Sequence, residues 1–150
     1  MSRLPARIDL PAEADTEALG KRIARLLKSG EALCLSGPLG AGKSCLARAL
    51  IRALTTPEEE APSPTFTLVQ TYAGPEFEIA HFDLFRLEAP EEAWEIGLEE
   101  ALDQGAVLIE WPERLEGRLP PDRLDLDLRV SGAGRTARLS GHGSWKERVA

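Results

Sequence analysis

Asparagine is absent from all 150 residues, and Gln70 and Gln104 are the only side-chain amides. With arginine far outnumbering lysine, this would fit a heat-adapted source poor in thermolabile side chains, although the codon bias of a GC-rich genome accounts for it more simply. Cysteine is scarce: Cys34 and Cys45 are the whole complement, and their spacing suggests neither a disulfide framework nor a metal site. Reduced thiols of a cytosolic protein are the expectation. Positive charge is in deficit, 18 basic against 25 acidic residues for a net charge of −7. That excludes a general electrostatic grip on a nucleic-acid backbone, so any involvement with RNA is expected to go through a partner. Long apolar runs are missing as well. Met1 to Leu19 holds none of signal-peptide length, and no later segment approaches a membrane span. The chain is expected to be soluble and cytoplasmic, with one compact domain over residues 1–150.

What is present is concentrated in "LSGPLGAGKSCL", Leu35 to Leu46. Gly37, Gly40, Gly42, Lys43 and Ser44 fit G-x-x-x-x-G-K-[ST], with Leu39, Ala41 and Cys45 filling the loop and the residue after it. A chain of this length would show that pattern by accident roughly once in two hundred times. Glycines let consecutive backbone N–H groups approach phosphate oxygens with no Cβ in the way, and the helix starting near Lys43 adds its positive dipole end. Lys43 is expected to reach the β- and γ-phosphates of ATP and Ser44 to ligate Mg²⁺.

The surroundings match that demand. Leu19, Ile23, Leu26 and Leu27 sit at helical spacing between Asp15 and Lys28, with Asp15 or Thr16 as cap. "EALCLSG" reads as a strand entering the glycine loop and "KSCLARALIRAL" as the helix leaving it. "TTPEEEAPSP" is a loop. "TFTLVQTY" and "FEIAHFDLF" form two strands of an antiparallel hairpin turning over Ala73, Gly74 and Pro75. Pro90 opens an acidic helix running to about Leu102 and closed by Gly105. "AVLIEW" is continuous enough to be a strand covered on both faces. "DRLDLDLRV" alternates strictly, placing Leu124, Leu126, Leu128 and Val130 on one side, and Gly132 to Gly134 turn it into "RTARLS" as a half-exposed hairpin at a sheet edge. The tail "GHGSWKERVA" is polar and expected to be loose. The predicted fold is α/β: a P-loop NTPase-like three-layer α/β/α arrangement with a mixed, largely parallel central sheet and antiparallel edge hairpins.

Phosphate chemistry also needs a second metal anchor and a group to orient the attacking water. Asp83 in "AHFDLF" and Glu110 in "VLIEW" end strands, where ligands of open α/β sheets collect. Asp83 is assigned as outer ligand of Mg²⁺ and Glu110 as the water-positioning group, with the reverse assignment open, so both count as metal candidates beside Ser44. Thr65, in Ser63-Pro64-Thr65-Phe66-Thr67, is a candidate sensor of the γ-phosphate in a switch segment. Trp111 either packs in the core or covers the site. The helix dipole would depress the Cys45 thiol, though an inert buried thiol is the simpler expectation. His81 reads as structural.

"GPLGAGKS", "SPTFTLV", "HFDLFRL" and "IEWPERL", in this order and at these spacings, resemble the bacterial TsaE (YjeE) family of small P-loop ATPases. The resemblance spans about Gly37 to Leu115. It implies an ATPase required for the threonylcarbamoyladenosine modification of tRNA, one that docks on a TsaD–TsaB complex and resets it by hydrolysis. It also implies that Lys43 and Ser44 hold phosphate and metal, that Thr65 belongs to a switch-like loop, that Asp83 takes the Walker B place, and that Glu110 with Trp111 forms the family's acidic-aromatic pair. Ser44 and Cys45 stand where the family commonly has two threonines, and Phe85 where it usually has tyrosine. No departure touches a residue assigned to phosphate or metal.

Three rivals are weaker or overlap. A switch-type GTPase reads guanine with an N-K-x-D stretch, and there is no asparagine. A small-molecule kinase commonly needs an arginine-bearing lid, whereas Arg48, Arg52, Arg86 and Arg114 are scattered along the chain. A nucleotide-gated protein-binding module with incidental hydrolysis shares every residue above and differs in what hydrolysis is for.

Overall fold

Strands covered by helices on both faces read as near-continuous apolar runs, and alternation along each strand sorts those side chains between the two faces. The computed structural model describes residues 3–64 and 67–150. Elements follow in chain order: β1 (Arg7–Leu10), α1 (Glu13–Leu26), β2 (Ala32–Ser36), α2 (Lys43–Leu54), β3 (Val69–Ala73), β4 (Glu78–Asp83), α3 (Glu91–Glu95), α4 (Leu98–Gln104), β5 (Gly105–Glu110), β6 (Arg123–Ser131) and β7 (Gly134–His142). Short 3₁₀ turns span Pro112–Leu115 and Gly143–Trp145.

The strands form one seven-stranded sheet in the order β1-β7-β6-β2-β5-β4-β3. The four in the middle run parallel, and β3, β7 and β1 pair antiparallel outside them. Side chains from alternate positions separate cleanly. Leu33 and Leu35 of β2, Ile79 of β4, and Ala106 and Leu108 of β5 join a core beneath α1 and α2. Their neighbours Ala32, Cys34, Ala80, Phe82, Val107 and Ile109 join a second core with Leu87, Ala93 and Leu98 beneath α3 and α4. The expected three-layer α/β/α fold with a mixed sheet is therefore present. Helix α2 is anchored by Leu46, Leu50 and Ile51, all fully buried, each stabilising by about 1.5–3 kcal/mol.

Several expectations change. The acidic helix expected from Pro90 to Leu102 is two helices, because Gly97 adopts φ 96°, a left-handed conformation that ends one helical path and starts another. The first helix begins at Glu13 after Ala12, and Asp15 is not the cap residue. Its carboxylate reaches back three residues to accept the Ala12 N–H at 2.9 Å. The "RIDL" segment, too short for periodicity to reveal, is strand β1 and pairs along Arg7 to Leu10 with β7. The hairpin β6–β7 is consequently inside the sheet and not at its edge. Val130, expected inward, is exposed because β6 outruns its neighbour β2, whose pairing stops at Asp127.

The tail is docked. Trp145 is fully buried and the Arg148 guanidinium lies 4.7 Å from its ring centroid. Arg148 also pairs with Glu31 at 2.7 Å, Ser144 donates to the same carboxylate at 2.6 Å, and Val149 bridges Leu4. Burial alone would push Glu31 up. The bonds from Arg148, Ser144 and the Lys28 N–H outweigh it and hold the carboxyl below its usual value. Among the described residues no helix is long and apolar enough to cross a membrane.

Candidate functional site

The loop between β2 and α2 turns through left-handed backbone at Gly40 (φ 80°) and at Gly42 (φ 98°), the residue capping α2. A side chain at Gly42 would strain that entry, and a Cβ at Gly37 would collide with the Leu128 carbonyl oxygen. The amides of Lys43, Ser44 and Cys45, as the first of α2, have no intrahelical acceptor, and no side chain caps them among the described residues. A cleft of about 650 Å³ opens here. Leu39, Gly40, Gly42, Lys43, Ser44, Cys45, Asp83, Glu110 and Trp111 all reach its wall. Gly37 and Ala41 do not. Both are buried, Gly37 against β6 and Ala41 in the core under α1 and α2. Thr65 lies outside the described residues.

Asp83 and Glu110 are register partners at the ends of parallel strands β4 and β5. With a period of two, His81 and Asp83 share one face of β4, and Glu110 shares that face on β5. The His81 Nε2 meets the Glu110 Oε2 at 2.6 Å, both side chains buried, so one carboxylate oxygen of Glu110 is held and the other is not fixed by this bond. Asp83 Oδ1 accepts the Phe85 N–H at 3.1 Å, and the Leu84 N–H donates to the Glu110 carbonyl. These bonds fix both strand ends.

The Lys43 Nζ is buried and, among the described residues, has no hydrogen-bond partner. It rests 3.7 Å from the Trp111 ring centroid, a cation–π contact in place of an anion. Burial pushes its ammonium below the usual lysine range, while Glu110, Glu113 and Asp83 pull it back up. Trp111 itself takes φ 62° and ψ 51°, a left-handed conformation that costs a non-glycine residue about 1–2 kcal/mol and turns the ring over the lysine. Phe85 packs against it at a tilt of 53° with centroids 4.9 Å apart, and the Arg114 guanidinium lies 5.7 Å from the Phe85 ring. The aromatic ring at position 85 is what this contact needs, with or without a hydroxyl.

Sequence reasoning missed the opposite wall. Leu10, Pro11, Ala12, Glu13 and Thr16 come from the β1–α1 corner, and Ala133, Gly134 and Arg135 from the β6–β7 turn. Arg135 donates to the Gly40 carbonyl at 3.0 Å and to the Gly134 carbonyl at 3.0 Å, tying the last hairpin to the glycine loop. Nothing local marks it, since it stands 95 residues away from Gly40. Cys45 is half-buried, and burial followed by Glu13 and Glu17 raises its pKa, so the depression expected from the dipole does not win. Cys34 is pushed up to about 12 by burial.

Strand, glycine loop and helix at the carboxyl ends of a parallel sheet, with two acids on the neighbouring strand ends, define a P-loop NTPase-like α/β protein. Within that class, residues 10–138 match the sequence model of the family described as threonylcarbamoyl adenosine biosynthesis protein TsaE, and the chain belongs to that family. It is similar to the tRNA threonylcarbamoyladenosine biosynthesis protein TsaE of Rickettsia conorii, 41% identical over 121 residues, 81% of this chain and 69% of that one. The Rickettsia bellii protein of the same description is 39% identical over 130 residues, 87% and 90% of the two chains. That of Bacillus subtilis is 34% identical over 133 residues, 88% and 81%. The crystal structure of Bacillus subtilis YdiB superposes with a TM-score of 0.76 at 26% identity, covering 94% of this chain and 88% of that one. The family is one of tRNA threonylcarbamoyladenosine biosynthesis.

Proposed function

We propose that the chain, acting as one unit over residues 1–150, binds and hydrolyses ATP with Mg²⁺ in threonylcarbamoyladenosine modification of tRNA, working on protein partners that resemble TsaD and TsaB. One observation carries the nucleotide reading: among the described residues a buried lysine ammonium has no hydrogen-bond acceptor, and it sits at the start of a helix that no side chain caps. Glu110, Glu113 and Asp83 attract this ammonium from nearby, but a buried cation with no directly hydrogen-bonded acceptor still carries a desolvation cost, which a phosphate offsets at this spot.

Ser44 and Asp83 offer a hydroxyl and a carboxylate, hard oxygen donors that suit Mg²⁺. The bound metal would supply charge neutralisation at the β- and γ-oxygens. Lys43 leaves the Trp111 face and pairs with phosphate, and the ring then covers the site against water. Glu110, with Oε2 anchored by His81, uses its other oxygen to orient the water that attacks the terminal phosphorus. Thr65 is proposed as the sensor in the adjoining segment. The wall of Leu10, Pro11 and Ala12 is the apolar side of the cleft and suits ribose and base. Hydrolysis is expected to be slow alone and faster with partners, because Arg135, the arginine on the cleft's opposite wall, donates to the Gly40 and Gly134 carbonyls and is not free to act as a transition-state clamp.

The test is Glu110→Gln. ATP affinity should persist while hydrolysis falls by about a hundredfold or more, and modification of tRNA by the reconstituted partner complex should stop. Modification that continues without hydrolysis would turn the reading to a nucleotide-gated binding module. Loss of nucleotide affinity in calorimetry would remove the assigned role of Glu110.

A further inference from the structure

We propose that the groove between α1 and α2 is a docking site for an acidic segment of a partner protein. The groove measures about 520 Å³. Lys21 and Arg25 of α1 line one side and Arg48 and Arg52 of α2 the other, over Ala24 and Ala49. All four cations are exposed, and among the described residues none forms a salt bridge. Glu17, at the end near Cys45, is the one acid on the wall.

This arrangement is unfavourable for the isolated chain. Lys21 and Arg25, and likewise Arg48 and Arg52, are like charges four residues apart on a helix, a spacing at which they repel each other. The two rows then face each other. A protein with net charge −7 has acids to spare for neutralising them and does not use them. The nearest run, Glu58 to Glu60, contributes only a backbone contact, the Glu59 carbonyl accepting from Arg52 Nε at 2.9 Å. Small alanine side chains at the floor let a second backbone settle between the rows, and carboxylates projecting both ways would meet cations on either side.

Charge complementarity thus selects an acidic occupant, and shape selects a protruding peptide segment. Nucleic acid is disfavoured because Glu88, Glu91, Glu92, Glu95, Glu99, Glu100 and Asp103 give the other helical layer a strongly negative field with no cation between 88 and 104. A second copy offers its acids on helices packed flat on its own sheet, which do not protrude into a groove. The groove shares Cys45 with the nucleotide cleft, so an occupant touches the same helix that begins at Lys43. The inference rests on charge and shape and holds whether or not the chain hydrolyses ATP.

The test uses the full chain labelled with ¹⁵N and titrated with a synthetic peptide of alternating glutamate and leucine, its lysine–leucine counterpart, unmodified tRNA, and unlabelled protein. The glutamate peptide should shift amides of α1 and α2, and the effect should weaken as salt rises. Arg25→Glu combined with Arg48→Glu should lower its affinity by about tenfold or more while leaving nucleotide affinity unchanged, which also reports an intact fold. Glu17→Lys should tighten binding. Stronger shifts of the same amides by tRNA or by a second copy, shifts confined to other elements, no shifts at all, or indifference to both variants would overturn the proposal.

Discussion

The two helical layers that cover this sheet are built differently. On one face α1 and α2 are 14 and 12 residues long. They pack on each other, and their outer surfaces carry Lys21, Arg25, Arg48 and Arg52. On the other face α3 and α4 are 5 and 7 residues long, broken by Gly97, and acidic throughout. Arg118 reaches them from outside and pairs with Glu91 at 2.7 Å. Both layers bury apolar side chains of the same strands at alternate positions. The lesson is that burial can be satisfied by short, irregular helices, whereas the helix that begins at the glycine loop is long and firmly packed. Leu46, Leu50 and Ile51 fix α2 so that Lys43 and Ser44 stay where β2 delivers them. In the short helices most of the acids, Glu95, Glu99, Glu100 and Asp103 among them, are exposed.

If this division is right, substitutions on the two faces should separate function from stability. Lys43→Ala should have the largest effect, lowering ATP affinity in calorimetry by about a thousandfold, or about 4 kcal/mol, with the melting temperature little changed. In the wild type, affinity should decline at alkaline pH sooner than an ordinary lysine would allow, because burial lowers the Lys43 pKa and deprotonation removes the charge. Leu98→Ala, on the acidic layer, should cost about 3 kcal/mol of stability in denaturant titration and leave nucleotide affinity of the folded protein intact. A combined loss of affinity there would break the comparison.

Glu31→Gln, which touches neither layer's helices but unties Arg148 and Ser144 at the far end of β2, should cost about 2 kcal/mol at neutral pH. The sign follows from its lowered pKa: the stabilisation is fully present above the usual carboxyl value of 4.5 and is lost as pH falls from there through the depressed value of the folded state. The variant should lack that acid-dependent component. Gly97→Ala should have the smallest effect, about 1 kcal/mol, from forcing a Cβ into left-handed backbone. Its hydrolysis rate should equal that of the wild type. An unbroken Glu91 to Gln104 helix in the variant would show that the glycine imposes the break.

Some of this could be read without coordinates because it depends on neighbours along the chain. The glycine loop is contiguous, so spacing alone placed Gly42, Lys43 and Ser44. Alternation along β6 and the unbroken apolar run of β5 report which faces are covered, since each residue's side is dictated by the one before it. Tertiary structure decided the rest. The bond between His81 and Glu110 depends on the register of two strands whose order follows from packing both sheet faces at once. Arg135 reaches Gly40 only because β7 sits beside β6, and β1 is a strand only because β7 offers an edge to pair with. Trp145, in a polar tail, joins the core beneath α1 and α2, and Arg148 over its ring pairs with Glu31 across the fold. Local patterns encode which residues can form a phosphate loop. The walls that close around it come from contacts distant in sequence, whose energies exist only after the chain has collapsed.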